Sequence, residues 1–205
     1  MIKAIAFDYG GVIKINDSDL IADICEYLNI SKEEWSSEYF KINHLANTQG
    51  VSFEDIFKMV TLKFNNSEEA KNHVLDLMRS NGGKYHLNNE LIDIIKELKN
   101  KGYKTALLSN NSIELRNKLE DIGIINIFDE VIISAEVGFQ KPEPKIFQIL
   151  FDKLRVKSNE VVFIDDTLKS LEGADNIGYF PLLYRDNGSL KIELSNVLGI
   201  RNAEE

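Results

Sequence analysis

One cysteine, Cys25, in 205 residues excludes an intramolecular disulfide and any zinc site built on paired cysteines. Its helical surroundings predict a small thiol packed inside. No run of about 18 apolar residues occurs, so no membrane-spanning helix is expected. The first residues read as a short strand, not as a basic segment leading into a long apolar one, which argues against a signal peptide and for a cytoplasmic protein. Basic residues are in deficit: 24 Lys and Arg against 33 Asp and Glu give a net charge of −9. With no basic surplus to neutralise phosphates, nucleic acid and anionic membranes are poor partners, and any anionic ligand must be held by local donors. Internal repeats, low-complexity tracts and long linkers are missing too. So are GxGxxG after a strand, GxxxxGK before Ser or Thr, and HExxH, which removes the nucleotide-fold readings that a parallel sheet would otherwise invite.

What is present is a 43% apolar content and enough length for one medium domain, or a domain with an insertion. Four short apolar runs end in chemically useful residues. They are AIAFDYGGVI, TALLSNN, GFQKPEPKIF and VVFIDD, carrying Asp8, Ser109, Lys141, and Asp165 with Asp166. An acid closing a buried strand is costly in the apolar interior, so it belongs at the strand's carboxyl edge, where α/β sheets hold ligands.

Residues 2–7 read as a buried strand running into the Gly10-Gly11 turn. From about Asp17 to Gly82 no strand-like run occurs. There Ile21, Ile24 and Leu28, then Phe53, Ile56, Phe57, Val60 and Phe64, follow helical spacing, with Ser31 and Ser52 placed as N-caps. After Asn81-Gly82-Gly83 helices and strands alternate. An amphipathic helix through Leu91, Ile94, Ile95 and Leu98 stops at Gly102, and Lys104–Ser109 is the next strand. A helix through Leu115, Leu119 and Ile122, a strand at 131–134, a helix at Pro144–Leu154 and a strand at 161–164 follow. This βαβαβ series calls for an α/β fold with a parallel, Rossmann-like sheet covered on both faces. The core is then residues 1–15 and 84–205, with a helical insert at 16–83. Asn187-Gly188-Ser189 reads as a turn.

Taken in order, FDYGGVI, LLSNN, QKPEPKIF and FIDDTLKSLEGA resemble the four motifs of the haloacid dehalogenase superfamily, over essentially the whole chain. The resemblance implies a Rossmann-like core, a helical C1 cap in the place of the insert, and a phosphatase-like hydrolase. Phosphoryl transfer needs a nucleophile, positive charge on the equatorial oxygens, and a metal to offset repulsion between anions. Asp8 can attack phosphorus and form an aspartyl-phosphate. Mg2+, which takes hard oxygens, would be suited by Asp8, the main-chain carbonyl of Gly10 and Asp166, with Asp165 either a further ligand or an orienting neighbour. Ser109 and the N–H groups after it, at Asn110, would hold phosphoryl oxygens, and Lys141 would pair with both Asp8 and the phosphate. Pro142 and Pro144 would fix the turn and start the next helix. The implied substrate is a small phosphorylated metabolite, such as a sugar phosphate, handled by a monomer or homodimer.

Read alone, Ser109 could cap a helix and Lys141 could be a surface lysine. The adjacent pair Asp165 and Asp166 is harder to explain without a cation between the two charges. Two positions depart from the common phosphatase pattern. Gly10 stands where a second aspartate usually protonates the leaving group, and Ser170 stands where asparagine is usual. Two other classes stay open: a 2-haloacid dehalogenase, in which the same aspartate attacks carbon without metal and against which the Asp165–Asp166 pair argues, and a catalytically weak binding protein, which Gly10 makes possible. His44, His73 and His86 lack metal-ligand spacing and read as surface or packing residues, with His44 the one that could face the site from the cap. Tyr9 is expected to pack or to line the entrance.

Overall fold

The computed structural model describes residues 1–199 and builds its sheet outward from strand β1 (Ala4–Phe7), whose four residues are all buried. Side chains alternate across a strand, so Ile5 and Phe7 enter one apolar core while Ala4 and Ala6 enter another on the opposite face. The chain continues through β2 (Lys14–Asn16), α1 (Leu20–Leu28), α2 (Lys32–Gln49), α3 (Phe53–Phe64), α4 (Glu68–Asn81) and β3 (Tyr85–Leu87). Next come α5 (Asn89–Asn100), β4 (Lys104–Ser109), α6 (Leu115–Asp121), β5 (Glu130–Ile133), α7 (Ser134–Val137) and α8 (Pro144–Leu154). It closes with β6 (Val161–Asp165), α9 (Ala174–Ile177), β7 (Phe180–Leu183) and α10 (Asn187–Leu198).

Strands β5, β4, β1, β6 and β7 form one parallel sheet in that order. Helices α5, α6 and α10 cover the face of Ile5, Phe7, Leu107 and Ile164. Helix α8 covers the other face, where Ala4, Ala6 and Ala106 are small enough for Phe147 and Phe151 to lie close against the sheet. Pro144 opens α8 at its first turn.

Helices α1 to α4 have an apolar core of their own around Ile24, Trp35, Ile56, Phe57 and Val60, and Cys25 is buried within it. Ser31 and Ser52 cap α2 and α3 through their side-chain oxygens. The chain enters and leaves this unit through an antiparallel ribbon in which Lys14 pairs with Leu87 and Asn16 with Tyr85. Three residues per strand and a polar composition hide such a ribbon from periodicity.

Two C-terminal elements depart from the sequence expectation. Asn187-Gly188-Ser189 is not a free turn: it starts α10, because the Asp186 carboxylate accepts from Ser189 N–H at 2.8 Å and caps the helix. Strand β7 went unrecognised because Phe180 and the proline after it are exposed at the sheet edge, the position where a strand tolerates proline. Among the described residues no helix is long and apolar enough to cross a membrane.

Candidate active site

Three adjacent strands deliver the polar residues to one edge of the sheet. Phe7 is in register with Leu107 on β4 and Ile164 on β6, so Asp8 emerges one step past them, its N–H donating to Ile164 O at 2.9 Å. Ser109 ends β4 and Asp165 ends β6, both buried. The sheet grows in opposite directions from β1, and the crevice at such a reversal is where parallel sheets bind ligands.

Lys141, in the loop before α8, closes the group from the side. Its Nζ lies 2.9 Å from Asp8 Oδ1 and 2.6 Å from Asp165 Oδ2, with the lysine side chain 2% exposed. Burial alone would push this lysine's pKa down, but the two carboxylates against it hold it above the ordinary value. Burial raises the pKa of Asp8; Lys141 opposes that shift, and Asp165 adds to it. Asp166 is raised as well, by burial first and then by Asp8 and Asp165. Three carboxylates share one ammonium here, an imbalance that a bound cation would relieve.

The aspartate pair splits into two environments because successive strand residues point opposite ways. Asp165 is fully buried and both its oxygens are engaged, Oδ2 by Lys141 and Oδ1 by Thr167 N–H at 2.8 Å. Asp166 is exposed, and its carboxylate presses against the backbone of Gly11. A Cβ on Gly11 would stand 2.0 Å from Asp166 Oδ2, and Gly11 has a φ of +74°, so glycine is required there twice over. Gly10, by contrast, is outside the left-handed region, and a Cβ built on it meets no heavy atom within 4 Å.

A divalent, oxygen-seeking metal fits this donor set. Carboxylate oxygens of Asp8, Asp165 and Asp166 lie within 4.8 Å of one another, and the buried Asp8 Oδ1 has no hydrogen-bond partner of good angle among the described residues. The Asn110 side chain is otherwise occupied. Its Oδ1 accepts from Lys141 N–H at 2.7 Å and its Nδ2 donates to Lys141 O at 3.0 Å, clamping the lysine's backbone, so only its main chain is left for an anion. The Lys141-Pro142 peptide is cis.

Asp8, Gly10, Ser109, Lys141 and Ser170 line the sheet side of a cavity of about 350 Å³, roofed by Tyr39, Phe40, Asn43 and Asn47 of α2 and Phe53 of α3. Two contacts tie roof to sheet: Asn47 Nδ2 donates to Gln140 Oε1 at 2.8 Å, and Lys169 Nζ sits 5.0 Å over the Phe40 ring. The roof residues escaped sequence reasoning, although Tyr39, Asn43 and Asn47 repeat every four residues on one helix face. His44 does not line the cavity, so the cap histidine is not placed to exchange a proton there. His73 stacks on Tyr27 with centroids 3.9 Å apart, and His86 Nδ1 lies 2.6 Å from Asp17 Oδ1 at the ribbon. A larger cleft, of about 880 Å³ beside the ribbon and α1, touches none of the four acid and lysine groups.

The family model for haloacid dehalogenase-like hydrolases matches residues 5–181. Bifunctional epoxide hydrolase 2 of Rattus norvegicus is 34% identical over 123 residues, 58% of this chain but 22% of that protein, so the chain spans about a fifth of that relative's length. Glyceraldehyde 3-phosphate phosphatase of Methanothermobacter thermautotrophicus is 28% identical over 200 residues, covering 89% of this chain and 85% of the relative. In fold, the chain is similar to a HAD phosphatase from Thermococcus onnurineus, with a TM-score of 0.66 and 24% identity over 97% of this chain and 98% of that one.

Proposed function

The chain belongs to the haloacid dehalogenase-like hydrolases, and we propose that within that family it is a Mg2+-dependent phosphatase acting on small phosphate monoesters, sugar phosphates among them. The observation that carries this reading is the contact of Asp8 with Lys141 at 2.9 Å, with the exposed carboxylate of Asp166 within 4.8 Å of that of Asp8.

Asp8 is the nucleophile: its carboxylate oxygen bonds to phosphorus, the ester oxygen departs, and water then hydrolyses the aspartyl-phosphate to regenerate the enzyme. Lys141 stabilises charge on the phosphoryl oxygens and, being held by Asp165, stays in place without paying further ordering entropy at the moment of reaction. Ser109 donates its hydroxyl to a phosphoryl oxygen, with the Asn110 main chain alongside. Asp8, Asp166 and the Gly10 carbonyl would hold Mg2+, which when bound offsets the repulsion between the substrate dianion and the carboxylates. Asp165 is a positioning residue for Lys141, since both its oxygens are already used. The roof from α2 and α3 excludes water from the reacting centre.

A dehalogenase reading fits the charge distribution less well. An exposed acidic side chain within 4.8 Å of the nucleophile's carboxylate would repel a haloacid's carboxylate, whereas a cation-bridged phosphate makes use of it.

The decisive measurement is phosphate release from p-nitrophenyl phosphate with and without Mg2+, run beside halide release from 2-chloropropionate. Metal-dependent phosphate release is expected, and Asp8→Asn should lower kcat by about 10³-fold or more while the protein stays folded, as expected on losing a covalent nucleophile. Metal-independent chloride release, or Asp8→Asn activity within about tenfold of wild type, sinks the proposal.

A further inference from the structure

Beside the catalytic cavity lies a second one, of about 240 Å³, whose wall includes Lys14, Asn111, Ser112, Glu114 and Lys118. Gly10, Phe53 and Asn111 border both chambers. The space a side chain would fill at Gly10 is open, with no heavy atom within 4 Å of a Cβ there. The residue that departs from the common phosphatase pattern therefore stands on the boundary between the two.

Two ammonium groups, Lys14 and Lys118, line this second chamber against one carboxylate, Glu114. Neither lysine forms a salt bridge among the described residues. Lys14 rests instead over the Tyr85 ring, 4.8 Å from its centroid. Burial lowers its pKa and Lys118 lowers it further, so the two ammonium groups repel one another. The Glu114 carboxylate is held first by Ser112 and is also attracted by Lys118, which leaves an excess of one positive charge in the chamber. Tyr9 lines the chamber too, 3% exposed, with a hydroxyl that has no hydrogen-bond partner among the described residues. In a chain of net charge −9, long-range attraction does not gather anions. Two unpaired lysines one step from the nucleophile form a local exception.

We propose that the second chamber is a subsite for a second anionic group on the substrate, so that the preferred ester carries a carboxylate or another phosphate on a leaving group that passes over Gly10. The proposal rests on the phosphatase reading and narrows its substrate class. Asn111, which borders both chambers, supplies a neutral donor, and Lys14 and Lys118 the charge.

Matched pairs test it on the full chain with Mg2+: α-glucose 1,6-bisphosphate against α-glucose 1-phosphate, and 3-phosphoglycerate against glycerol 3-phosphate, with p-nitrophenyl phosphate as reference. In at least one pair the anionic member should show a kcat/KM about tenfold or more higher, the scale of one charge-assisted contact. Preference in the first pair alone identifies a phosphate, in the second alone a carboxylate. Lys118→Ala, at an exposed position, and Lys14→Met, which keeps the apolar stem, should each pull that ratio towards one. Ratios within twofold of one in both pairs, or a preference that neither substitution reduces, overturn the subsite while p-nitrophenyl phosphate turnover leaves the phosphatase reading standing. No phosphate release from any of the five overturns both.

Discussion

Lys141 compensates two buried carboxylates at once, so its loss should be the most costly single change to stability in the site. Removing one partner of a buried ion pair costs about 3–5 kcal/mol, and Lys141→Met should lower the urea midpoint accordingly. The deficit should depend on pH. Asp8 already has a raised pKa in the folded protein, and without the lysine it rises further. A raised carboxyl binds a proton in the folded state that the unfolded chain has released, so its contribution is present at low pH and lost as pH rises through the folded pKa. Unfolding at pH 5 and pH 8 should therefore show a smaller gap between variant and wild type at pH 5; an equal gap would mean the lysine acts by packing alone. At Gly10 the sequence leaves open a left-handed turn that would strain any other residue, but the backbone there is outside that region and the space is vacant. Wild-type log(kcat/KM) should fall steeply as leaving-group pKa rises, since no side chain at that position protonates the departing oxygen. Gly10→Asp should flatten the line, recovering about 10²–10⁴ for poor leaving groups, the usual worth of a general acid. A flat wild-type line would show that another donor is already in place.

Among elements, the turn between β1 and β2 and the end of β6 act as one unit, because Gly11 makes room for the Asp166 carboxylate. Gly11→Ala should displace that carboxylate and, at a positive φ, cost about 1 kcal/mol or more. Half-saturating Mg2+ should rise in Gly11→Ala and in Asp166→Ala, whereas Asp165→Ala should chiefly lower stability by freeing Lys141. If Asp165→Ala alone moved the Mg2+ titration, the roles assigned to the two neighbours would be reversed. Sequence reading could place both acids at a strand end but could not separate them, because the difference lies in which one meets Lys141 from a loop 24 residues away. Helix α2 makes the same point. Its face of Tyr39, Asn43 and Asn47 becomes a roof only by docking over the sheet edge.

On the scale of the whole molecule, the helical unit and the sheet keep separate apolar cores, and their two connections are joined by a ribbon closed by Asp17 N–H to Lys84 O at 2.9 Å. Chain ends this close can be linked directly. Replacing residues 19–81 with a short Gly-Ser bridge should leave a folded sheet domain that still hydrolyses p-nitrophenyl phosphate slowly, with discrimination between larger esters lost. Calorimetry and kcat/KM ratios would check both statements, and a bridge variant with molten near-ultraviolet dichroism would show that the sheet domain depends on its cap.

The parallel sheet, the run of helices after its first strand, and the strand-end positions of Asp8, Ser109, Asp165 and Asp166 were all legible in the sequence. Apolar runs of four to six residues record burial on both faces of a sheet, and a charge can end such a run only at the sheet's edge. Other features required the tertiary structure. They include the clamp of Asn110 on Lys141, the conformational difference between Gly10 and Gly11, the capped start of α10, the edge strand β7, and the lysine-lined chamber beyond Gly10. Each of these depends on backbone angles or on partners distant in the chain, and local composition is blind to both.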